Sequence, residues 1–250
     1  GETTVLVLSD VLGDAIADIG SGPFAPAEED NAGALAIAQR VRGMPGAVLT
    51  HLRAGRDRDD AGPVGAGASC WARVATAIIA SCDTLLDAAE VAAARHLPEV
   101  ARVRLAPSGG LVPDVAARLL AELDEAAPNT LIVAGGEPTV VLPAEPGLGG
   151  RNQALVLEMA RGLAARGRPA TFVALASDGG DGPTDAAGAW ADERSWQRLQ
   201  SIGDPEAALR DADAHPLLAA AHQLIHTGAT GTNVLDLQLL LVRDVERMME

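Results

Sequence analysis

The chain has 250 residues, and apolar residue types make up 48% of them, the share expected of a globular protein with a substantial core. Its formal net charge is −15, and its aromatic residues are three Trp and two Phe, with no Tyr. Neither a basic surface for nucleic-acid backbones or anionic lipids nor an aromatic platform for base stacking is expected from these numbers. We therefore predict no nucleic-acid partner and no membrane association.

Every basic residue apart from histidine is Arg, and the sequence contains no Lys. A P-loop lysine, a Schiff-base lysine and a lysine general base are thus absent from these 250 residues. Two cysteines, Cys70 and Cys82, are too few for a secreted disulfide framework, and no apolar stretch reaches the roughly 18 residues that span a bilayer. We predict a reduced, cytoplasmic protein. Because residues 1–4 lead directly into a strand, we also expect a portion of a longer protein.

Three short apolar runs are the clearest predicted strands: 4–8, 130–134 and 171–175. Each run ends in glycine or acidic residues, and unbroken apolar runs are typical of strands covered on both faces. A short strand at 138–142 and a C-terminal strand at 234–242 are predicted as well. Helical patterns lie near 31–43, 83–96, 112–126, 152–167, 192–201 and 216–225. This alternation predicts an α/β fold of mostly parallel sheets with flanking helices.

The stretch 54–69 is rich in Gly, Arg and Asp, and we predict that it is a linker or a mobile loop.

The densest group of chemically useful residues lies in the loop 177–188, which contains Asp178, Asp181 and Asp185. Three carboxylates on a glycine-rich loop can converge on a hard cation such as Mg²⁺, and the glycines let backbone N–H groups face a phosphate. We expect the loop and its carboxylates to be exposed. The alternative is a solvated turn whose Asp residues cap the following helix.

Arg151 follows two glycines at the start of a predicted helix. A cation is disfavoured there by the helix dipole, so the position makes sense if Arg151 and the free N–H groups share an anionic ligand. The alternative is an arginine that pairs with a nearby Asp and holds a loop.

Three further segments could contribute to a site. Gly135 and Gly136 fit a close approach to a ligand or a tight turn, and Glu137 could be a metal ligand, a base or the partner of Arg151. The run 227–233 offers hydroxyl and amide donors to a phosphate or a sugar-like substrate, or is a plain polar loop. Asp10 fits a metal site, a phosphate site or a helix cap. The five His residues have no HxH or HExxH spacing, and a G-x-S-x-G motif is absent.

In chain order, the motifs are VLSDVLGD (7–14), SGP (21–23), GGEPTV (135–140), GGRNQ (149–153), ASDGGDGPTDAAGA (176–189) and TGTNV (230–234). Together they resemble those of the MOFRL-type glycerate 2-kinases, some of which were formerly labelled hydroxypyruvate reductases. The resemblance implies ATP- and Mg²⁺-dependent phosphorylation of D-glycerate to 2-phosphoglycerate in a cleft between two α/β domains. It also implies that residues 1–106 end a Rossmann-like first domain and that residues 107–250 form a MOFRL α/β domain.

The residue patterns and the resemblance together give three sets of site residues. The catalytic candidates are Arg151 and Glu137, and the metal candidates are Asp10, Asp178, Asp181 and Asp185. The candidates for binding substrate or nucleotide are Ser9, Gly135, Gly136, Asn152, Gln153, Gly179, Gly182, Thr184, Thr230, Gly231, Thr232 and Asn233.

Members of the family are longer, and their N-terminal half carries a lysine and a Gly/Ser-rich loop, so we expect this chain alone to be inactive. Two other functions stay open. A hydroxypyruvate reductase using NAD(P)H would need a G-x-G-x-x-G turn after a strand, whereas residues 65–67 lack the strand and the third glycine. A catalytically inactive ligand-binding fragment is the second. The partner is expected to be a small hydroxy acid, and a homodimer is compatible with the sequence.

Overall fold

A computed structural model of the chain describes residues 1–26, 30–56 and 64–244. The strands are β1 (Thr3–Leu8), β2 (Val74–Ala80), β3 (Ala101–Arg104), β4 (Ser108–Leu111), β5 (Thr130–Thr139), β6 (Ala170–Ala176), β7 (Gly188–Asp192), β8 (Leu224–Ile225) and β9 (Asp236–Val242). The α-helices are α1 (Asn31–Ala38), α2 (Gly46–Arg56), α3 (Cys82–His96), α4 (Val112–Glu125), α5 (Arg151–Arg166), α6 (Ser195–Ile202), α7 (Pro205–Arg210) and α8 (Ala214–Ala220).

Two compact units are present, one of residues 1–7 and 14–79 and one of residues 8–13 and 80–250.

The first unit contains α1, α2 and a two-stranded sheet of β1 and β2. α1 begins where the Asp30 carboxylate accepts hydrogen bonds from the backbone N–H groups of Ala32 (3.0 Å) and Gly33 (2.8 Å). β1 is not covered on both faces as expected, because its residues alternate in exposure and Leu6 is 64% exposed. Within the predicted linker, residues 54–56 end α2, and residues 57–63 lie outside the described residues.

The second unit is built on a sheet with the strand order β3-β5-β9-β6-β7-β8, and β4 pairs with the distal part of β5. The α/β class, with a central sheet and flanking helices, is confirmed. The sheet is mixed rather than mostly parallel, because β3 and β4 run parallel to β5 whereas the other neighbouring pairs are antiparallel. The chain passes from β6 to β7 without a crossover helix, and such a connection favours antiparallel pairing.

The core lies on both faces of this sheet. On one face, α4 and α5 pack against alternate residues of β5 and β6, including Ile132 and Phe172. On the other face, Leu86 of α3 packs with Leu131 and Val133, the neighbours of Ile132 along β5. Successive strand residues point to opposite faces, so an unbroken apolar strand such as β5 is covered by helices on both sides.

β5 continues through the glycines at which we predicted that the strand 130–134 would end, and a separate strand at 138–142 does not form. A Cβ at Gly136, where φ is +140°, would lie 1.8 Å from the Ser108 carbonyl oxygen of β4. A Cβ at Gly135 would lie 2.7 Å from the Cys82 Sγ of α3. Packing of β4 and α3 against β5 therefore accounts for both glycines without a ligand.

Residues 80–106, predicted to end the first domain, form α3 and β3 in the second unit, and β3 pairs with β5. The units are defined by contacts within this chain, so the family domain boundary at 106–107 stays a prediction.

Candidate functional site

Arg151 is the first residue of α5, and its guanidinium is held by two carboxylates. Its Nε donates to Asp236 Oδ2 (2.7 Å) and its Nη2 to Asp236 Oδ1 (3.1 Å), while Nη1 donates to Glu137 Oε1 (2.6 Å). The Asp236 side chain is 1% exposed, whereas that of Glu137 is 44% exposed. Arg151 thus has one buried, two-pronged partner and one partner at the surface of the site.

Burial governs the electrostatics of this group. Burial raises the pKa of Asp236 to about 6, even though the hydrogen bonds and the charge of Arg151 act in the opposite direction. Burial alone would lower the pKa of Arg151, but Asp236 and Glu137 together raise it above its ordinary value. The guanidinium therefore stays charged, and Asp236 is the group that can titrate in the mildly acidic range.

Asp181 caps the N-terminus of α5. Its Oδ1 accepts hydrogen bonds from the Asn152 backbone N–H (3.0 Å) and Nδ2 (3.3 Å), and its Oδ2 accepts from the Gln153 backbone N–H (2.8 Å) and Nε2 (3.0 Å). The residue is 1% exposed, and burial raises the pKa of its carboxyl against the effect of these donors.

Two predictions change because of this cap. The expected exposure of the loop carboxylates is wrong for Asp181, which instead fulfils the capping alternative, although at the preceding helix α5 rather than at the following one. The amides of Asn152 and Gln153, which we expected to share an anionic ligand with Arg151, already bind this carboxylate.

Glycines allow three loops to pack together around the start of α5. A Cβ at Gly150 would lie 2.2 Å from Asp181 Cγ, and one at Gly182 (φ +65°) would lie 2.3 Å from the Gly149 carbonyl oxygen. A Cβ at Gly179 (φ +87°) would lie 1.9 Å from the Gly228 carbonyl oxygen. The glycines of these motifs are therefore required by loop packing and by the left-handed backbone conformation.

The other predicted metal ligands lie apart. Asp178 accepts a hydrogen bond from the Gly180 N–H (2.9 Å) through Oδ1, and Asp10 is exposed. Asp185 pairs with His215 Nε2 (3.0 Å), and this hydrogen bond lowers the pKa of its carboxyl. Within residues 1–26, 30–56 and 64–244, no group of three or more His, Cys, Asp or Glu side chains is arranged to hold a metal ion.

A cavity of about 460 Å³ opens beside Arg151 in the second unit. Five of the predicted site residues line it, namely Glu137, Arg151, Asp178, Gly182 and Asn233. The apolar part of its wall comes from Val140, Leu142, Ala154, Pro183, Ala212 and Ala214. A few polar groups on a largely apolar wall are typical of a small-molecule site.

The remaining predicted residues hold the loops in place. Thr230 Oγ1 donates to the Ser177 carbonyl (2.6 Å), Gln153 Nε2 donates to Thr184 Oγ1 (3.0 Å), and the buried Ser9 hydroxyl bonds with the backbone of Val11. Ser9, Asp10, Gly135, Gly136, Asn152, Gln153, Gly179, Asp181, Thr184, Asp185, Thr230, Gly231 and Thr232 are not among the residues that line the cavity.

Sequence reasoning missed Asp236, although it left a signal. The residue lies two positions after the TGTNV motif and begins an apolar strand. An acid within an apolar strand indicates a buried charge, and such a charge needs a partner. The sequence offers no comparable signal for Leu142, Ala212 and Ala214, because small and apolar residues on a cavity wall resemble core residues.

The sequence matches two family models and has named relatives. Residues 130–236 match the MOFRL family, and residues 1–53 match a domain of unknown function (DUF4147). A glycerate kinase from Macaca fascicularis is 33% identical over 288 aligned positions, which cover 95% of this chain and 72% of that protein. The human glycerate kinase has the same identity, and the match covers 54% of its length.

A solved structure is also similar. The crystal structure of a glycerate kinase from Thermotoga maritima matches with a TM-score of 0.78 and 26% identity, covering 96% of this chain and 57% of that one. This chain thus spans less than two thirds of the human protein and of the solved structure. No helix in the described part of the chain combines the length and apolar character needed to cross a bilayer. A cytoplasmic location and a homodimer stay predictions.

Proposed function

We propose a function from the premise that this chain belongs to the glycerate kinase family that carries a MOFRL domain. The protein transfers the γ-phosphoryl group of ATP to the C2 hydroxyl of D-glycerate. The products are ADP and 2-phosphoglycerate. The observation that carries the proposal is the guanidinium of Arg151, which a buried carboxylate holds at the wall of a cavity large enough for small anionic substrates.

Arg151 would neutralise charge on the transferring phosphoryl group or on the glycerate carboxylate. Phosphoryl transfer depends mainly on positioning and on electrostatic stabilisation. Of the five guanidinium N–H groups, Asp236 and Glu137 take three, which leaves one on Nη1 and one on Nη2. Planar donors of this kind suit a phosphoryl or carboxylate group better than the point charge of a lysine does.

Glu137 would accept the proton of the attacking hydroxyl. In the reaction, the hydroxyl oxygen forms a bond to the γ-phosphorus, the bond from that phosphorus to the β–γ bridging oxygen breaks, and ADP leaves. Glu137 lines the cavity and is half-exposed, and among the described residues only its Oε1 is hydrogen-bonded, to Arg151. A half-exposed carboxylate that lines the cavity is suited to act as a general base.

The donor set fits Mg²⁺ only if the substrate supplies most of the ligands. Mg²⁺ commonly binds one or two protein carboxylates together with substrate phosphates and water. Asp178 fits, because it lines the cavity and, among the described residues, forms a hydrogen bond only through Oδ1. The carboxylate oxygens of Asp181, in contrast, already accept four N–H groups. We therefore propose Asp178 as the protein ligand, and the ion would offset phosphate charge.

The reductase alternative lacks support from the backbone. Residues 66–67 form a turn that leads to a 3₁₀ helix (Ser69–Arg73), whereas the nicotinamide fingerprint needs a tight turn from a strand into an α-helix. The inactive-fragment alternative predicts ligand binding without turnover.

One assay separates the three functions. The product of the whole gene that encodes this chain is incubated with ATP, Mg²⁺ and D-glycerate, and ADP release is followed over many turnovers. In parallel, the same protein is incubated with hydroxypyruvate and NADH or NADPH. We expect ADP release that depends on D-glycerate and no oxidation of the nicotinamide cofactor. Cofactor oxidation without ADP release would contradict the proposal and favour the reductase. Binding of ATP or D-glycerate without either reaction would favour the catalytically inactive ligand-binding fragment.

A further inference from the structure

We propose that Asp236 is a positioning residue, which acts on the reaction only through Arg151. The contact itself is given by the structure, while its effect on turnover rests on the proposed function. Asp236 does not line the cavity, so it is not expected to touch substrate.

The two partners of Arg151 hold it in different ways. Asp236 accepts from Nε and Nη2 with both carboxylate oxygens and is fully buried, so it fixes the plane and the direction of the guanidinium. Glu137 accepts from Nη1 alone and is half-exposed. The edge of the guanidinium that meets Asp236 is therefore fixed, and the edge that meets Glu137 faces the cavity, where a ligand could replace that contact.

The sheet register explains why Asp236 can occupy this place. Asp236 pairs with Gly136 of β5 and with Ala176 of β6, which flank it on both sides with the smallest side chains available. A larger residue at position 136 is excluded by β4, because a Cβ there would meet the Ser108 carbonyl at 1.8 Å. The small neighbours thus leave room above β9 for a buried ion pair.

Two neighbouring polar side chains act on the charge of Asp236. The Asn152 side chain of α5 lowers the pKa of Asp236, and the charge of Asp181, on the loop after β6, raises it. Arg151 lies where the helix dipole disfavours a cation. Without Asp236, the long Arg151 side chain would lose both fixed contacts, and a displacement of about 1 Å in a catalytic group can cost 10²-fold in rate.

A double-mutant cycle tests whether Asp236 acts through Arg151. In the product of the whole gene, we expect Asp236→Asn to lower kcat about 100-fold when Arg151 is present and less than about threefold in the Arg151→Lys background. Equal losses in both backgrounds would overturn the proposal, because an effect on folding or on another group does not depend on Arg151. Asp124→Asn is the matched control, since Asp124 binds Nε and Nη2 of Arg166 in the same two-pronged way at the other end of α5. Its kcat should stay close to that of the parent.

A second measurement, of hydrogen exchange, uses the unaltered chain and requires neither catalytic activity nor a variant that folds. The hydrogen-exchange rate of the Arg151 Nε–H, followed by NMR in the unaltered 250-residue chain, should be at least about tenfold lower than that of the half-exposed Arg166 Nε–H, because its acceptor is buried. Equal rates would overturn the positioning role even if the kinase reaction is found. If the 250-residue chain shows slow exchange but the product of the whole gene does not phosphorylate glycerate, the proposed function fails and the positioning of Arg151 by Asp236 stands.

Discussion

Arg151 and Arg166 lie at the two ends of α5, and each is bound through Nε and Nη2 by one aspartate. The Arg166–Asp124 pair lies at the surface, and solvent-screened pairs of this kind contribute little to stability. In the Arg151–Asp236 pair the carboxylate is buried, and the cost of removing these charges from water can exceed their attraction. The geometry of Arg151 is thus better explained by its position in the site than by the stability of the fold.

The first prediction concerns the shape of the Arg151 side chain. Arg151→Lys keeps the charge but removes the fork that binds Asp236 and the ligand, so we expect turnover to fall by about 10²-fold or more. Arg166→Lys is the control and should leave turnover within about twofold, because surface substitutions away from the site have small effects. Near-parental turnover of Arg151→Lys, measured as ADP release with D-glycerate, would contradict the proposed role.

The second prediction concerns the pH dependence of stability. Because burial raises the pKa of Asp236 from its ordinary value to about 6, the folded protein binds this proton more tightly than the unfolded chain does. This group therefore lowers the free energy of unfolding as the pH rises from about 4 to 7, by about 2 kcal/mol. Asp236→Asn removes the titration.

The check is urea denaturation of the parent and Asp236→Asn at several pH values. We expect the stability of the variant relative to the parent to improve steadily from pH 4 to pH 7, whatever the difference at pH 4. A constant difference across this range would show that Asp236 does not titrate as stated.

At the scale of elements, two aspartates of the loop 177–188 have different roles beside α5. Asp181 is buried and satisfies the first turn of α5, whereas Asp178 lies at the cavity. We expect Asp181→Asn to lower the free energy of unfolding by about 2–3 kcal/mol, because a buried amide cannot accept hydrogen bonds from all four donors. Asp178→Asn should change stability by less than about 0.5 kcal/mol and raise the Mg²⁺ concentration needed for half-maximal activity.

Urea denaturation and Mg²⁺ titration of the two single variants test this assignment. It fails if Asp178→Asn responds to Mg²⁺ as the parent does, or if Asp181→Asn is as stable as the parent.

Sequence patterns predicted the long helices well. The predicted helices 83–96, 112–126 and 152–167 agree to within one residue at each end with α3, α4 and α5. Each has a strong apolar periodicity over four turns, and α4 and α5 begin beside Pro or Gly signals. The strands β2, β3, β4, β7 and β8 were missed. All of them except β2 have two to five residues, which are too few to show a period.

The site was predicted only in part, because its contacts depend on the order of the strands. Arg151 and Asp236 are 85 residues apart in sequence, and they meet because β9 inserts between β5 and β6. Local spacing cannot show this insertion, and it equally cannot show that the Asp181 carboxylate reaches back to the N-terminus of α5. The motifs therefore identified the loops, while the roles within them required the sheet topology.

At the scale of the whole molecule, the described sheet of the second unit, both of its core clusters and the cavity lie within residues 80–244. We expect a chain consisting of residues 80–250 to fold cooperatively, because every buried residue of its two helix-covered core clusters comes from this part of the chain. Circular dichroism should show a single thermal transition, and Leu123→Ala in the core should lower its midpoint. A broad, non-cooperative melt with strong binding of a hydrophobic dye would contradict this expectation.

The central claim is that this protein phosphorylates the C2 hydroxyl of D-glycerate, and the phosphorus NMR spectrum of the product tests it most directly. The gene product is incubated with ATP, Mg²⁺ and D-glycerate, and the proton-coupled phosphorus spectrum is recorded. A phosphate on C2 couples to a single proton on the carbon that bears it and gives a doublet, whereas a phosphate on C3 couples to two and gives a triplet. We predict a doublet that grows with the ADP signals and is absent without D-glycerate. A triplet, or ATP signals that stay unchanged, would contradict the claim.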